Sequence, residues 1–154
     1  MSKCRHNLCL MSWQKALSLE IAVIFMSMTS RVLIADNEFL VNRLLETRLT
    51  REGFLVCIAR DGQLALSLIR KQQYDVILLD LMVPNVAGQE LIMEIQRSTL
   101  NSDTPILVLS SLSSDDLIAE VLATGVKEYI VKPYSMNIIV AKTKELAELK
   151  LISK

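Results

Sequence analysis

Val76-Ile77-Leu78-Leu79 is an unbroken apolar run that ends in Asp80, with Pro84 and Gly88 close behind. Four apolar residues bounded by turn formers read as a strand buried on both faces, as in a parallel sheet. A carboxylate at the C-terminal end of such a strand leaves the core and enters the crevice where open α/β sheets bind ligands. Two other runs end in matching chemistry. Asp36 follows Val32-Leu33-Ile34-Ala35, and Lys132 follows Tyr129-Ile130-Val131. Acids and a lysine converging on one edge point to a Mg²⁺ site and a phosphoryl group.

The chain from residue 31 onward alternates strand and helix patterns. Strands are expected at Arg31 to Asp36, Phe54 to Ala59, Asp75 to Asp80, Ile106 to Ser110 and Glu128 to Val131. Helical periodicity fills the gaps: about Glu38 to Arg51, Gln63 to Lys71, Gly88 to Arg97, a stretch capped by Ser113 or Ser114 and running through Thr124, and Ser135 past Leu149. Val41, Leu44, Leu45 and Leu49 form the expected inner face of the first helix, and Leu64, Leu68 and Ile69 that of the second. Leu91, Ile92 and Ile95 do the same for the third. The four glycines, at 53, 62, 88 and 125, fall between these elements or at their ends, and none interrupts one. Five strands alternating with five helices predict an α/β parallel sheet with helices on both faces.

Composition narrows the function. Basic and acidic residues number 17 each, so the basic stripe of a nucleic-acid binder is missing. At 51% apolar residues, the 154-residue chain can build one domain with a real core. Cys4, Cys9 and Cys57 make no disulfide framework, and a reducing cytoplasmic setting fits them. Cys57 lies within an apolar run and reads as a small core residue.

Residues 1–30 are set apart as an N-terminal extension without Gly or Pro. Leu10, Trp13, Leu17, Ile21, Ile24 and Met28 keep helical spacing, which fits an amphipathic helix. A protein start at Met26 or Met28 fits equally well. Lys15 and Glu20 interrupt the segment, and its clean stretch is half the ~20 residues a membrane span needs. A secretory signal fails for the same reason. Cys4, His6 and Cys9 match no structural zinc spacing.

Asp36, Asn37, Asp80, Ser110 and Lys132 each end an apolar strand or follow one directly. Taken singly, a strand-end Asp is usually a helix cap, a Lys a surface residue and a Ser a partner for local backbone. Together they have the right types for a site. Mg²⁺ takes oxygen ligands in near-octahedral geometry. A carboxylate can serve as a phosphoryl-accepting nucleophile. Phosphoryl transfer itself needs positioning and charge neutralisation, which Mg²⁺, Lys132 and the Ser110 hydroxyl would supply.

Residues 31 to about 148 resemble a receiver domain of the two-component response regulators. The matching pieces are Val-Leu-Ile-Ala-Asp-Asn-Glu at 32–38, Ile-Leu-Leu-Asp-Leu-Met-Val-Pro-Asn-Val-Ala-Gly at 77–88, Pro-Ile-Leu-Val-Leu-Ser at 105–110 and Tyr-Ile-Val-Lys-Pro-Tyr at 129–134. The resemblance implies a receiver domain over 31–150 with a flavodoxin-like, doubly wound five-stranded sheet of strand order 2-1-3-4-5. It implies that Asp80 accepts a phosphoryl group from a sensor histidine kinase or a histidine phosphotransfer protein. Asp36, Asn37, Asp80 and the Met82 backbone carbonyl would hold Mg²⁺, and Lys132 would bind the phosphoryl group. The Lys132-Pro133 bond is expected to be cis. Ser110 and Tyr129 would form the switch, read out by helix four, strand five and helix five. The same face could pair two copies of the chain. Turnover of a separate substrate is not expected, only self-catalysed phosphotransfer and dephosphorylation.

The sequence departs from that family in a few places. Asn37 stands where a second acid is usual, which removes one negative charge from the metal site. Met82 and Leu112 occupy positions that, in that family, influence access of a hydrolysing water, and Tyr134 replaces a common Phe. Three alternatives follow: a pseudo-receiver that binds a partner constitutively, a receiver that lost a C-terminal effector, and an aspartyl phosphohydrolase. The last commonly needs an acid two residues after the nucleophile, where Met82 stands. A flavin- or nucleotide-binding relative would need a Gly-rich loop after the first strand. The acidic Asp36-Asn37-Glu38-Phe39 opposes that.

Overall fold

The computed structural model describes residues 29–152 together with Leu19 and Ile21. Its order is β1 (Arg31–Ala35), α1 (Phe39–Arg51), β2 (Leu55–Ala59), α2 (Gly62–Lys71), β3 (Val76–Leu79), α3 (Gly88–Arg97), β4 (Ile106–Ser110), α4 (Asp115–Ala123), β5 (Glu128–Val131) and α5 (Met136–Ile152). The five strands pair in parallel in the order β2-β1-β3-β4-β5, as expected.

Successive residues of a strand point to opposite faces, so each apolar run feeds two cores. Leu33, Ile77, Leu79 and Val108 meet Ala65 and Ile69 of α2, Leu91, Ile92 and Ile95 of α3 and Val121 of α4. Val32, Ile34, Val76, Leu78 and Leu107 meet Leu45 and Leu49 of α1 and Ile139 and Leu146 of α5. This double burial is why β3 carries no polar residue. Each Leu or Ile fully removed from water contributes about 1.5–3 kcal/mol. Cys57 is half-buried against the first core.

Two helical faces are rotated from expectation. In α1 the buried residues are Asn42, Leu45 and Leu49, and Leu44 is exposed. Asn42 takes an inward position because its Nδ2 donates to the Asp36 carbonyl at 2.7 Å. In α2 the buried residues are Gly62, Ala65 and Ile69, and Leu64 is exposed. Small residues face the core there because the helix approaches closely, and a Cβ on Gly62 would lie 2.5 Å from Val86 Cβ. Asp61 caps this helix by accepting from Leu64 N at 2.8 Å, so the helix starts at Gly62, one residue before the expected Gln63. Ser114 occupies the N-cap position of α4 without a side-chain hydrogen bond, and that helix ends at Ala123.

Leu19 and Ile21 are helical and exposed. The remaining positions of the N-terminal helix reading, and Cys4, His6 and Cys9, lie outside the described residues. Among the described residues, no helix is long and apolar enough to cross a membrane.

The loop between β3 and α3 is tightly held. Gly62 N donates to Pro84 O at 2.9 Å and Gly88 N to Leu81 O at 3.3 Å. Asn85 adopts φ 74, a left-handed conformation that Asn tolerates better than most residues. A Cβ on Gly88 would stand 2.4 Å from Leu81 Cα and 2.8 Å from its carbonyl oxygen. Backbone cannot yield as a flexible side chain can. Gly88→Ala should therefore lose about 2–3 kcal/mol of stability by urea denaturation. An unchanged midpoint would show that the loop is free to move.

Candidate functional site

Parallel pairing brings the C-terminal ends of β1, β3, β4 and β5 to one edge. Asp36 continues from β1, its N–H donating to Ala59 O at 3.1 Å, and Asp80 continues from β3, its N–H donating to Ala35 O at 2.8 Å. Both stay buried, at 2% and 5% exposure. Lys132 leaves β5 with its N–H on Ser110 O at 2.9 Å, and its peptide bond to Pro133 is cis, as expected.

The Lys132 ammonium spends its three protons on three carboxylates. Nζ donates to Asp36 Oδ2 at 2.9 Å, to Asp80 Oδ2 at 2.8 Å and to Glu38 Oε1 at 2.7 Å. The second oxygens of the two aspartates accept backbone N–H groups, Asp36 Oδ1 from Glu38 at 2.7 Å and Asp80 Oδ1 from Met82 at 2.9 Å. Burial alone would push the ammonium down. The hydrogen bonds to Asp80, Glu38 and Asp36 outweigh it and hold Lys132 above the ordinary lysine value. For Asp36 burial wins, and its carboxyl is raised above the usual 3.8 despite Lys132 and the Glu38 amide.

Asp36, Glu38 and Asp80 each offer a carboxylate oxygen, and these oxygens lie within 4.8 Å of one another. One ammonium among three carboxylates leaves an excess of negative charge in a largely buried place. An all-oxygen set with that excess suits a hard divalent cation such as Mg²⁺. Glu38 is the member to which the strand-end reading assigns no role, because it lies two residues past the strand at the start of a helix. Its signal was the spacing acid-Asn-acid directly after a strand. Asn37 lies exposed between the two acids.

Ser110 is fully buried, and its Oγ accepts from Leu112 N at 3.4 Å. Tyr129 is half-buried against the first core, and its hydroxyl donates to Leu112 O at 2.7 Å. Both residues therefore hold the same loop after β4. Met82 is exposed, and its sulfur accepts from Ser111 Oγ at 3.4 Å across the crevice. The Tyr134 hydroxyl is buried without a hydrogen-bond partner. Its burial pushes the phenol up to about 12, opposed by Lys132 and assisted by the three carboxylates.

The family model described as the response regulator receiver domain matches residues 32–144. The chain belongs to the response regulator receiver domain family. Among curated relatives, the probable transcriptional regulator ycf27 of Guillardia theta is 38% identical over 105 residues, which are 68% of this chain and 40% of that protein. This receiver chain spans 40–48% of the length of the curated relatives it matches. Among solved structures, the Francisella response regulator 1452 receiver domain is similar at a TM-score of 0.72 and 31% identity, covering 78% of this chain and 98% of that one. The receiver domain of the sensor histidine kinase PA1611 from Pseudomonas aeruginosa PAO1, solved with a magnesium ion in its active-site cleft, shares the fold. It matches at a TM-score of 0.67 and 22% identity, over 78% of this chain and 98% of that one.

The raised Asp36 carboxyl makes a signed prediction for the receiver. A carboxyl raised in the fold adds stability below its unfolded value, and that contribution is lost as pH rises through the folded value. In metal-free buffer, the urea midpoint of Asp36→Asn relative to wild type should move in the variant's favour as pH climbs from 3.8 toward neutral. A flat or opposite trend would show that the Lys132 hydrogen bond, not burial, dominates.

Proposed function

We propose that the receiver accepts a phosphoryl group on Asp80 from a phosphohistidine of a sensor kinase or phosphotransfer protein, in a Mg²⁺-dependent reaction. Protein contact then passes the signal on. The observation that carries this reading is the Lys132 ammonium held between Asp80, Asp36 and Glu38 at the sheet edge. In the reaction an Asp80 oxygen bonds to phosphorus, the P–N bond breaks and the imidazole nitrogen keeps the electron pair. Lys132, already on Asp80 Oδ2, can follow the charge onto a phosphoryl oxygen. The Ser110 hydroxyl supplies a second donor once its loop moves. A bound Mg²⁺ would neutralise the remaining charge, held by Asp36 and Asp80 with Glu38, Asn37 or the Met82 carbonyl completing the set.

The new charge also drives the switch. An aspartyl phosphate shifts the loop equilibrium only by the difference in its contacts between two arrangements. Because Ser110 Oγ and the Tyr129 hydroxyl both hold the Leu112 backbone, moving Ser110 toward the phosphate disturbs Tyr129 as well. Readout would then occur across α4, β5 and α5, by a target or by a second copy of the chain. A pseudo-receiver that binds constitutively is the second reading, favoured by Asn37 in place of an acid.

Intact-protein mass spectrometry after incubation with acetyl phosphate separates them. Wild type should gain one phosphoryl adduct with Mg²⁺ and none without it, and Asp80→Ala should gain none. Wild type that stays unmodified at high Mg²⁺ favours the pseudo-receiver. Mg²⁺ alone should also raise the melting temperature of wild type, by the equivalent of about 2.7 kcal/mol at a hundredfold excess over Kd. Asp36→Ala should abolish that rise.

A further inference from the structure

Asn37 leaves the end of β1 with an amide where the receiver family usually has a second acid, yet three carboxylates still meet there. The third comes from Glu38, one residue further on. Its Oε1 lies 2.7 Å from Lys132 Nζ, the same ammonium that holds Asp36 and Asp80.

Glu38 differs from the two aspartates in how it is held. It is the N-cap residue of α1, but its side chain makes no capping hydrogen bond. A side-chain oxygen at that position commonly accepts from the first helical N–H groups, whereas this one turns to the crevice. The side chain is 53% exposed, against 3% for Asp36 and 6% for Asp80. An ion pair with an exposed member contributes little, so Glu38 can leave Lys132 at small cost. The aspartates are fixed, each with its second oxygen on a backbone N–H.

Charge points the same way. Three carboxylates and one ammonium carry two net negative charges, the amount that one divalent cation neutralises. Without Glu38 the set would carry one, and a bound divalent cation would leave the crevice positive.

We propose that Glu38 takes over the role of the acid missing at position 37. Its carboxylate is a ligand of the divalent cation, and Lys132 holds it beside the aspartates until the ion binds. This role rests on the Mg²⁺-dependent reading of the site and narrows it, because Glu38, rather than Asn37, completes the charged ligand set. It also frees Lys132. Once Glu38 has left, one ammonium proton becomes available to an incoming phosphoryl oxygen.

Isothermal titration calorimetry of the full-length chain with MgCl₂ alone, without a phosphodonor, tests the role. Glu38→Gln should weaken Mg²⁺ binding by about tenfold or more, and Asn37→Ala should leave it nearly unchanged. Both positions are exposed, so far-UV circular dichroism should show an intact fold in each variant. A charge that acts only through space is screened in about 1 M KCl, where the Debye length is ~3 Å, whereas a ligand is not. The Glu38→Gln loss should therefore persist at that salt. Glu38→Gln that binds as wild type does overturns the proposal, as does a loss that vanishes at high salt or an Asn37→Ala loss of equal size. Wild type that binds no Mg²⁺ overturns it together with the phosphorylation reading.

Discussion

The ammonium of Lys132 makes the rest of this sheet edge tenable. Three carboxylates meet where four parallel strands end, and two of them, Asp36 and Asp80, are nearly closed to water. Uncompensated charge in such a place is costly. A single cation whose three protons each reach one acid holds the cluster together and ties β5 to β1 and β3 across the sheet. It compensates only part of the charge. The remaining excess leaves an all-oxygen, negatively charged donor set of the kind that suits a hard divalent cation.

Much of this arrangement could be read from the sequence, for identifiable reasons. Apolar runs buried on both faces leave little freedom in where strands begin and end, so β4 and β5 match expectation residue for residue. The residues that close those runs, Asp36, Asp80, Ser110 and Lys132, had to share an edge once the strands were parallel. Helix faces were harder. In α1 the inward position belongs to Asn42, whose amide holds the Asp36 carbonyl, and a search for apolar spacing passes over a polar residue used that way. In α2 the close approach of Val86 demands Gly62 and Ala65 inside, and the larger Leu64 turns outward. Glu38 escaped because its reach to Lys132 depends on the turn between β1 and α1, which no periodicity encodes.

The other end of the sheet has its own buried polar device. Lys150, near the end of α5, donates to Tyr74 O and, at 2.7 Å, to Thr104 Oγ1. Asn101 Oδ1 accepts from Tyr74 N at 2.9 Å, and its Nδ2 donates to Ile69 O and Gln72 O at 2.8 and 2.9 Å. These groups satisfy backbone at the end of α2 and in the turn before β3, a demand that buried backbone always makes. They pin α5 to the sheet at its C-terminal end, and Ile139 packs its other end into the second core.

The close contact of Gly88 with Leu81 has a mechanical consequence. The segment after Asp80 is clamped by backbone bonds at Pro84 and Leu81, with no room between α3 and the turn. The segment after Ser110 is held by side chains alone: a long bond to Ser110 Oγ, the Tyr129 hydroxyl and the Ser111–Met82 contact. The crevice thus has one rigid jaw and one compliant jaw. A ligand drawing on both segments would break only side-chain hydrogen bonds on the β4–α4 side, and would have to break backbone bonds on the other.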